Sequence, residues 1–167
     1  MTDKEKHDIL SDIVIIVDTR EKKNLHILEF LDTNKIKYKV EKLDSGDYSF
    51  ELPHYKHLGL DKSVLIERKN SLSELAGNFT KNRERFVNEF ERIGDAKIHL
   101  IVETATWRKL LNGTYQSQFN PKSYMASLLT WNIRYNCPIW FAETKESPMI
   151  MYSIIHYELV EKLKGMK

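Results

Sequence analysis

Three charged residues end an otherwise apolar segment of the sequence. Residues 64–69 read VLIERK, so an apolar run passes directly into Glu67, Arg68 and Lys69. Alternate side chains of a β-strand point to the same face, so Glu67 and Lys69 share one face and Arg68 projects from the other. A carboxylate beside an ammonium group suits phosphodiester hydrolysis. The carboxylate can hold a divalent metal, and the lysine can stabilise or help to activate the attacking water.

Two further acids stand where apolar segments end. Asp18 closes the run IVIIVD at residues 13–18, and Asp47 follows Gly46, whose flexibility lets the backbone turn sharply. Ligands commonly collect at strand ends in α/β folds, and a hard cation such as Mg²⁺ usually needs more than one carboxylate. The alternative is a plain salt bridge, such as Asp18 with Arg20 or Lys69. Taken together, the three acids favour a metal site.

The composition limits the classes of protein to be considered. The chain has 167 residues, of which 41% are hydrophobic and 30% charged, as is ordinary for one globular domain. We predict a flexible lead-in at residues 1–12 and a single domain at residues 13–167. No apolar run approaches the roughly 20 residues that span a bilayer, and the polar first residues lack the apolar core of a secretory signal.

These features also bear on where the protein acts and on what it binds. Cys137 is the single cysteine of the sequence, which suits a reducing compartment. We therefore expect an intracellular protein, cytoplasmic or nucleoid-associated and not secreted. We expect neither a membrane partner nor a small-molecule cofactor.

The distribution of charge says more about a partner than the net charge of +2. Residues 104–142 contain no Asp or Glu, but they include eight aromatic side chains and the basic residues Arg108, Lys109, Lys122 and Arg134. An acid-free, basic segment of this kind is compatible with a polyanion partner. The alternative is that most of these aromatic side chains belong to the core.

Hydrophobic periodicity predicts the elements that must position these residues. Strands are predicted at residues 13–19, 37–43, 46–52, 63–69, 98–103 and 138–142. Helices are predicted at residues 25–33, 71–77, 79–93, 106–111, 121–135 and 147–164. Strands separated by helices indicate an α/β domain. The close succession of strands between residues 37 and 69 indicates a hairpin-like part, and therefore a mixed central sheet flanked by α-helices.

Two of the predicted helices carry further information. In the helix at 79–93, Arg83 lies on an apolar stripe with Phe79 and Phe86, so it needs an anionic partner such as a carboxylate or a DNA phosphate. Snorkelling at the edge of the stripe is the alternative. The last helix is apolar over more than one stripe, which indicates either deep burial or packing against another subunit.

The order of these motifs resembles the XPF-type nuclease domain of the PD-(D/E)xK superfamily. The resemblance rests on VDTRE at 17–21, Gly-Asp at 46–47 and Glu-Arg-Lys at 67–69, followed by Asn82-Arg83 and the strand IHLIVE at 98–103. Two features depart from the family pattern. Ser73 occupies the position of a downstream Asp, with Glu74 one residue later as the stand-in. No glycine-rich hairpin of the helix-hairpin-helix type follows residue 113.

The resemblance implies a restriction-endonuclease-like fold and a metal-dependent DNA endonuclease. It implies that one or two Mg²⁺ or Mn²⁺ ions are bound by Asp18, Asp47, Glu67 and the backbone carbonyl of Arg68. Lys69 would position or help to deprotonate the water, and the products would carry 5′-phosphate and 3′-hydroxyl ends. Further roles fall to Arg20 and Arg83, at the scissile phosphate or orienting the acids, and to Glu21, as a ligand or a brace.

The resemblance further implies branched DNA as the substrate, such as flaps, forks or junctions in repair or recombination. It also implies a dimer, either a homodimer or a pairing with another subunit, through helices near the end of the domain. Two alternatives stay open. One is a catalytically silent relative that binds DNA or supports a nuclease subunit, and the other is a nuclease that acts on RNA or linear duplex.

Overall fold

The apolar, β-branched segments of the chain assemble into one sheet. The computed structural model describes residues 1–166, with strands β1 Val14–Val17, β2 Tyr38–Val40, β3 Tyr48–Glu51, β4 Val64–Lys69, β5 Lys97–Glu103 and β6 Ile139–Ala142. Their order is β2-β1-β3-β4-β5-β6. Strand β3 is antiparallel to both of its neighbours, and the other adjacent pairs are parallel. The predicted mixed sheet is confirmed.

Helices cover both faces of this sheet. They are α1 Asp3–Ser11, α2 Leu25–Thr33, α3 Leu72–Phe79, α4 Arg83–Glu91, α5 Trp107–Leu111, α6 Pro121–Tyr135 and α7 Ser147–Gly165, with a short 3-10 helix at Lys56–Leu58. Among residues 1–166, no helix is both long enough and apolar enough to cross a membrane.

The alternation of side chains along β4 divides the core into two layers. Val64 and Ile66 pack with α1, α2 and α7, whereas Leu65 packs with α3, α4, α5 and α6 on the opposite face. All six residues of β4 are buried, which is expected for a central strand that is covered on both sides. At the charged end of β4, Arg68 therefore points into the layer of α1, α2 and α7, whereas Glu67 and Lys69 point into the layer of α3 to α6.

The amino-terminal residues differ from the expected loose lead-in. Residues Asp3–Ser11 form a helix whose start is a capping box, in which Thr2 and Glu5 bond to each other's backbone N–H groups. Ile9 is only 3% exposed and packs in the same core layer as α7. The polar composition of this segment concealed its two packed apolar residues, Ile9 and Leu10.

The boundary between α3 and α4 also differs from the prediction. Helix α3 continues through Gly77 to Phe79 and ends at Thr80, whose backbone at φ −113° and ψ −101° is not helical. Phe79 and Phe86 both lie in the core, but they belong to two helices. The stripe that was expected to carry Arg83 inward therefore does not exist, and Arg83 instead begins α4.

Candidate active site

The position of Asp47 is set by the tight approach of β3 to β4. Gly46 has a φ of +75°, and a Cβ atom added there would lie 3.2 Å from the carbonyl oxygen of Ile66, so glycine is required on both counts. The backbone N–H of Asp47 donates to that same carbonyl at 2.8 Å. One carboxylate oxygen of Asp47, Oδ2, accepts from the backbone N–H of Arg68 at 2.8 Å. Asp47 is thus held beside the charged end of β4.

Glu67 and Lys69 form a buried pair on one face of β4, as their spacing predicted. Lys69 Nζ donates to Glu67 Oε1 at 2.5 Å, and Lys69 and Glu67 are 9% and 2% exposed. The ammonium group also lies 5.4 Å from the centre of the Phe86 ring, on the α4 side of the sheet. The second oxygen, Glu67 Oε2, is buried and has no hydrogen-bond partner among residues 1–166. This oxygen is the principal unsatisfied acceptor of the site.

The electrostatics of this group reflect two acids held close together in a poorly solvated place. Burial, and then the charge of Glu67, raises the pKa of Asp47 well above its usual value. Burial likewise raises the pKa of Glu67, although Lys69 opposes that shift. Burial acts to lower the pKa of Lys69, but Glu67 and Asp47 outweigh it and raise that pKa. Lys69 is therefore a charged ammonium group here.

Asp18 lies next to this group but has both of its oxygens engaged. Arg20 donates to Asp18 from its backbone N–H at 2.8 Å and from its guanidinium at 2.7 and 3.1 Å, and the backbone N–H of Leu43 donates at 2.6 Å. Burial acts to raise the pKa of Asp18, but the bonds from Arg20 and Leu43 lower it. Asp18 forms the salt bridge given as the alternative, and its role as a metal ligand remains a prediction.

Arg68 occupies the opposite face of β4 and is held by several partners. Its side chain is 2% exposed. It donates to the carboxylates of Glu21 and Glu103, both at 2.9 Å, to the side chain of Asn70 at 2.8 Å and to the carbonyl of Lys23 at 2.7 Å. Glu21 therefore braces the loop after β1 in this structure. A ligand role for Glu21, and one for the carbonyl of Arg68, remain predictions.

A solvent-facing cleft opens above these residues. Its volume is about 440 Å³, and it is lined by Arg20, Glu21, Lys22, Lys23, Asp47, Arg68, Lys69, Asn70, Ser71 and Glu74. The side chain of Arg20 is 56% exposed, so it is accessible to a ligand in the cleft. Glu74 accepts from the backbone and side-chain nitrogens of Asn70, both at 2.9 Å, so it braces the start of α3.

Arg83 does not join the site through an acidic partner. It is exposed at the start of α4, and its recorded hydrogen bond is a long one of 3.4 Å to the carbonyl of Phe79. The predicted inward orientation was wrong, because α3 and α4 are separate helices. A contact between Arg83 and a bound phosphate remains a prediction.

Comparison with known proteins gives the family of this chain. The ERCC4 domain matches residues 17–153, which include every residue of the site described above. The chain belongs to the ERCC4 domain family. This assignment confirms the resemblance to the XPF-type nuclease domain.

Two solved structures of one other protein have a fold similar to that of this ERCC4 domain. A structure of XPF from Aeropyrum pernix covers 86% of this chain with 19% identity and a TM-score of 0.61. A second structure, XPF from Aeropyrum pernix in complex with DNA, covers 87% with 18% identity and a TM-score of 0.64. The matched region is 65% and 64% of the length of those two chains. The comparison with curated proteins gave no match.

The donor atoms of this ERCC4 domain suit a divalent cation, although they do not form a complete cage. Among residues 1–166, no group of three or more His, Cys, Asp or Glu side chains is placed to hold a metal ion. The free oxygen of Glu67 and the adjacent Asp47, whose pKa is raised, are nevertheless the hard, electron-rich ligands that Mg²⁺ and Mn²⁺ prefer. A cation there would offset the charge of both acids.

Sequence reasoning missed the role of Glu103 in this ERCC4 domain. Glu103 is 2% exposed. Besides Arg68, it accepts from the hydroxyl of Ser147 and contacts His26 Nε2 at 2.7 Å. The available signal was its place as the last residue of a predicted buried strand, where an acid requires a partner.

Proposed function

We propose that this ERCC4 domain is a metal-dependent DNA endonuclease that hydrolyses phosphodiester bonds. The observation that carries the proposal is the buried, unpartnered oxygen of Glu67, held beside Asp47 and the charged Lys69. The family assignment supports the nuclease activity, and the structure of Aeropyrum pernix XPF in complex with DNA supports DNA as the substrate.

The residues of the site would have different roles in hydrolysis. Glu67 Oε2, a carboxylate oxygen of Asp47 and the carbonyl of Arg68 would hold Mg²⁺ or Mn²⁺. When bound, the cation supplies positive charge that polarises the phosphate and activates water. Lys69, which bonds to Glu67, would position the water and offset phosphate charge. Attack by the water breaks the bond to the 3′ oxygen, which leaves a 5′-phosphate and a 3′-hydroxyl.

The cleft and the outer surface indicate the partners. Arg20, Lys22 and Lys23 line the cleft beside Asp47 and suit the DNA backbone. We take branched DNA, in repair or recombination inside the cell, as the substrate. Between the last strand and α7, an apolar groove of about 550 Å³ supports a homodimer or a pairing with another subunit. Three of its lining residues are more than 40% exposed, namely Trp140, Met149 and Tyr157.

A cleavage panel tests the proposed function. Labelled fork, flap, linear duplex and RNA substrates are incubated with the protein in Mg²⁺, in Mn²⁺ and in excess EDTA. We expect cleavage of fork or flap DNA that requires the metal and leaves 5′-phosphate ends. Cleavage that persists in EDTA would contradict the metal mechanism, and cleavage of RNA alone would reassign the substrate.

A second candidate function is a silent subunit that binds DNA or supports a nuclease partner. The engagement of both oxygens of Asp18 by Arg20 and Leu43 favours it, because one predicted ligand is thereby occupied. The same panel separates the two candidates. A silent subunit would retain branched DNA in a binding assay and cut none of the substrates with either metal.

A further inference from the structure

Helix α4 presents a polar stripe next to the lysine of the site. Asn82 immediately precedes the helix, and Arg85 and Glu89 follow at spacings of three and four residues, which places them on one face. Phe86 and Phe90 lie on the adjacent face and pack in the core. The two aromatic side chains therefore anchor the helix in the core, and the polar stripe faces outward beside the site.

The stripe lines a second cleft of about 240 Å³, which lies beyond Lys69. Its lining consists of Lys69, Glu74, Asn78, Asn82, Arg85, Phe86 and Glu89. Lys69 and Glu74 also line the larger cleft that contains Asp47. The two clefts therefore adjoin at Lys69, the residue assigned to the cleaved phosphate.

The polar side chains of the second cleft have unused hydrogen-bonding capacity. Across residues 1–166, the hydrogen bonds and ion pairs include none from the side chains of Asn78, Asn82, Arg85 or Glu89. Arg85 and Glu89 stand four residues apart on the helix, a spacing that commonly gives an ion pair, yet they form none. Glu89 is also close enough to Glu67 to contribute to the raised pKa of that residue, after the larger effect of burial.

The mixture of charges indicates the chemistry of the ligand. Lys69 and Arg85 are cations, Glu74 and Glu89 are anions, and two amides lie between them. Two carboxylates disfavour a bare inorganic anion. A nucleotide suits the set, because it combines one charged phosphate with the hydrogen-bond donors and acceptors of a sugar and a base.

We propose that this second cleft binds the nucleotide next to the cleaved bond, with Arg85 on its phosphate and Asn78, Asn82 and Glu89 on its sugar and base. The inference rests on the proposed function, because it assumes that the cleaved phosphate lies at Lys69. The cleft has a volume of about 240 Å³, which suits a single nucleotide. Its amide and carboxylate side chains can bond the pairing edge of a base only when that base is unpaired, so we take the nucleotide to be unpaired, as at a fork or flap.

The test is a chemical double-mutant cycle on the phosphate contact. Binding is measured with the Asp47→Asn protein, which is expected not to cut, so that affinity is separated from cleavage. Fork substrates carry one neutral methylphosphonate, placed in turn at each phosphate around the cleaved bond. We expect one position at which neutralisation weakens binding about ten-fold, and at which adding Arg85→Gln causes no further loss. The salt dependence of binding should also fall by about one phosphate contact in Arg85→Gln.

Matched variants keep the test decisive. Lys56→Gln removes one positive charge from an exposed position on the 3-10 helix, outside both clefts, and should lower affinity by less than about two-fold. Asn82→Ala, at an exposed position, should weaken binding to fork DNA with an unpaired nucleotide beside the cut, and should not affect binding to linear duplex. Circular dichroism verifies that each variant is folded.

The outcomes separate the two proposals. If Arg85→Gln loses affinity equally with every methylphosphonate substrate, the second cleft is not the subsite. The same holds if Arg85→Gln loses no more affinity than Lys56→Gln, and in both cases cleavage by the wild type stands. If the wild type neither binds nor cuts DNA, the proposed function itself is overturned.

Discussion

The two faces of β4 use charged residues in opposite ways. Arg68 projects into the layer of α2 and α7, where its guanidinium is bonded to Glu21, Glu103, Asn70 and Lys23. On the other face, Glu67 pairs with Lys69 through one carboxylate oxygen, and its other oxygen has no partner among residues 1–166. Three consecutive charges therefore serve two purposes. One face ties together the loops around the site, and the other retains the capacity to bind a ligand.

This difference has an energetic basis. The removal of one partner of a buried ion pair is strongly destabilising, because the remaining charge is left unpaired. On the other face, the buried acids Asp47 and Glu67 lie close together beside a single ammonium group, that of Lys69, and this arrangement is itself destabilising and persists because the surrounding structure imposes it. Mutations on the two faces should therefore affect stability and activity in opposite proportions.

The largest expected effect is on activity, from Glu67→Gln. The amide keeps the shape of the side chain but lacks the charge that a cation requires, so we expect metal-dependent cleavage to fall by about 10³-fold. Stability, measured by urea denaturation, should fall by less than in Arg68→Met, because Asp47 remains as an acidic neighbour of the buried Lys69 when the charge of Glu67 is lost. The control is Glu29→Gln at an exposed position on α2, which should cut normally. Full activity of the Glu67→Gln protein would contradict the assignment of the Glu67 face of β4 to metal binding.

The largest expected effect on stability comes from Arg68→Met. The loss of the guanidinium leaves Glu21 and Glu103 buried without their cation, so we expect a loss of about 3–5 kcal/mol in urea denaturation. Arg108→Met, at an exposed position on α5, is the matched control and should change stability by less than about 0.5 kcal/mol. A normally stable but inactive Arg68→Met protein would instead assign this side chain to the reaction.

Asp18→Asn sharpens the comparison, because Asp18 was predicted to belong to the metal site but is bonded like Arg68. The loss of its charged bonds with Arg20 should destabilise the protein by about 2 kcal/mol. Its Mn²⁺ affinity, measured by calorimetry, should stay within about three-fold of the wild type. A much larger loss of affinity would mean that Arg20 releases Asp18 when the metal binds.

The smallest expected effect is a gain in stability from Asp47→Asn without metal. The pKa of Asp47 is raised in the folded state, so the unfolded chain releases this proton at a lower pH than the folded protein does. The stability of the wild type therefore falls as the pH rises above about 4, the value for an unfolded Asp. The amide of the variant has no such proton to release, so the variant should gain about 1 kcal/mol at pH 7 and nothing at pH 4. Thermal unfolding of both proteins in EDTA at pH 7 and pH 4 measures this difference in stability. An equal difference at the two pH values would contradict the prediction.

The sequence predicted those parts of the site that depend on local periodicity. The separation of Glu67 and Lys69 from Arg68 followed from the two-residue repeat of a strand, and the placement of Asp47 followed from the need for glycine before it. The partners of Arg68 were not predictable, because Glu103 and Glu21 come from distant segments that meet only through the order of strands in the sheet. The ligand roles of the acids are not decided by the fold.

The errors have equally specific causes. Phe79, Phe86 and Phe90 share one core, and this common burial imitated a single helix across the break at Thr80. The predicted single helix placed Arg83 on an inward-facing stripe, whereas Arg83 is exposed at the start of α4. The capping box of α1 was present in the sequence, but the two adjacent apolar residues Ile9 and Leu10 were too weak a signal to predict a packed helix.

The central claim is that the Glu67 face of β4 binds a divalent cation. The most direct measurement is a calorimetric titration of Mn²⁺ into the wild type and Glu67→Gln proteins, without DNA. The account predicts saturable binding by the wild type and an affinity at least about ten-fold lower for Glu67→Gln. Equal Mn²⁺ affinity in the two proteins, or no binding by the wild type at millimolar concentrations, would contradict it.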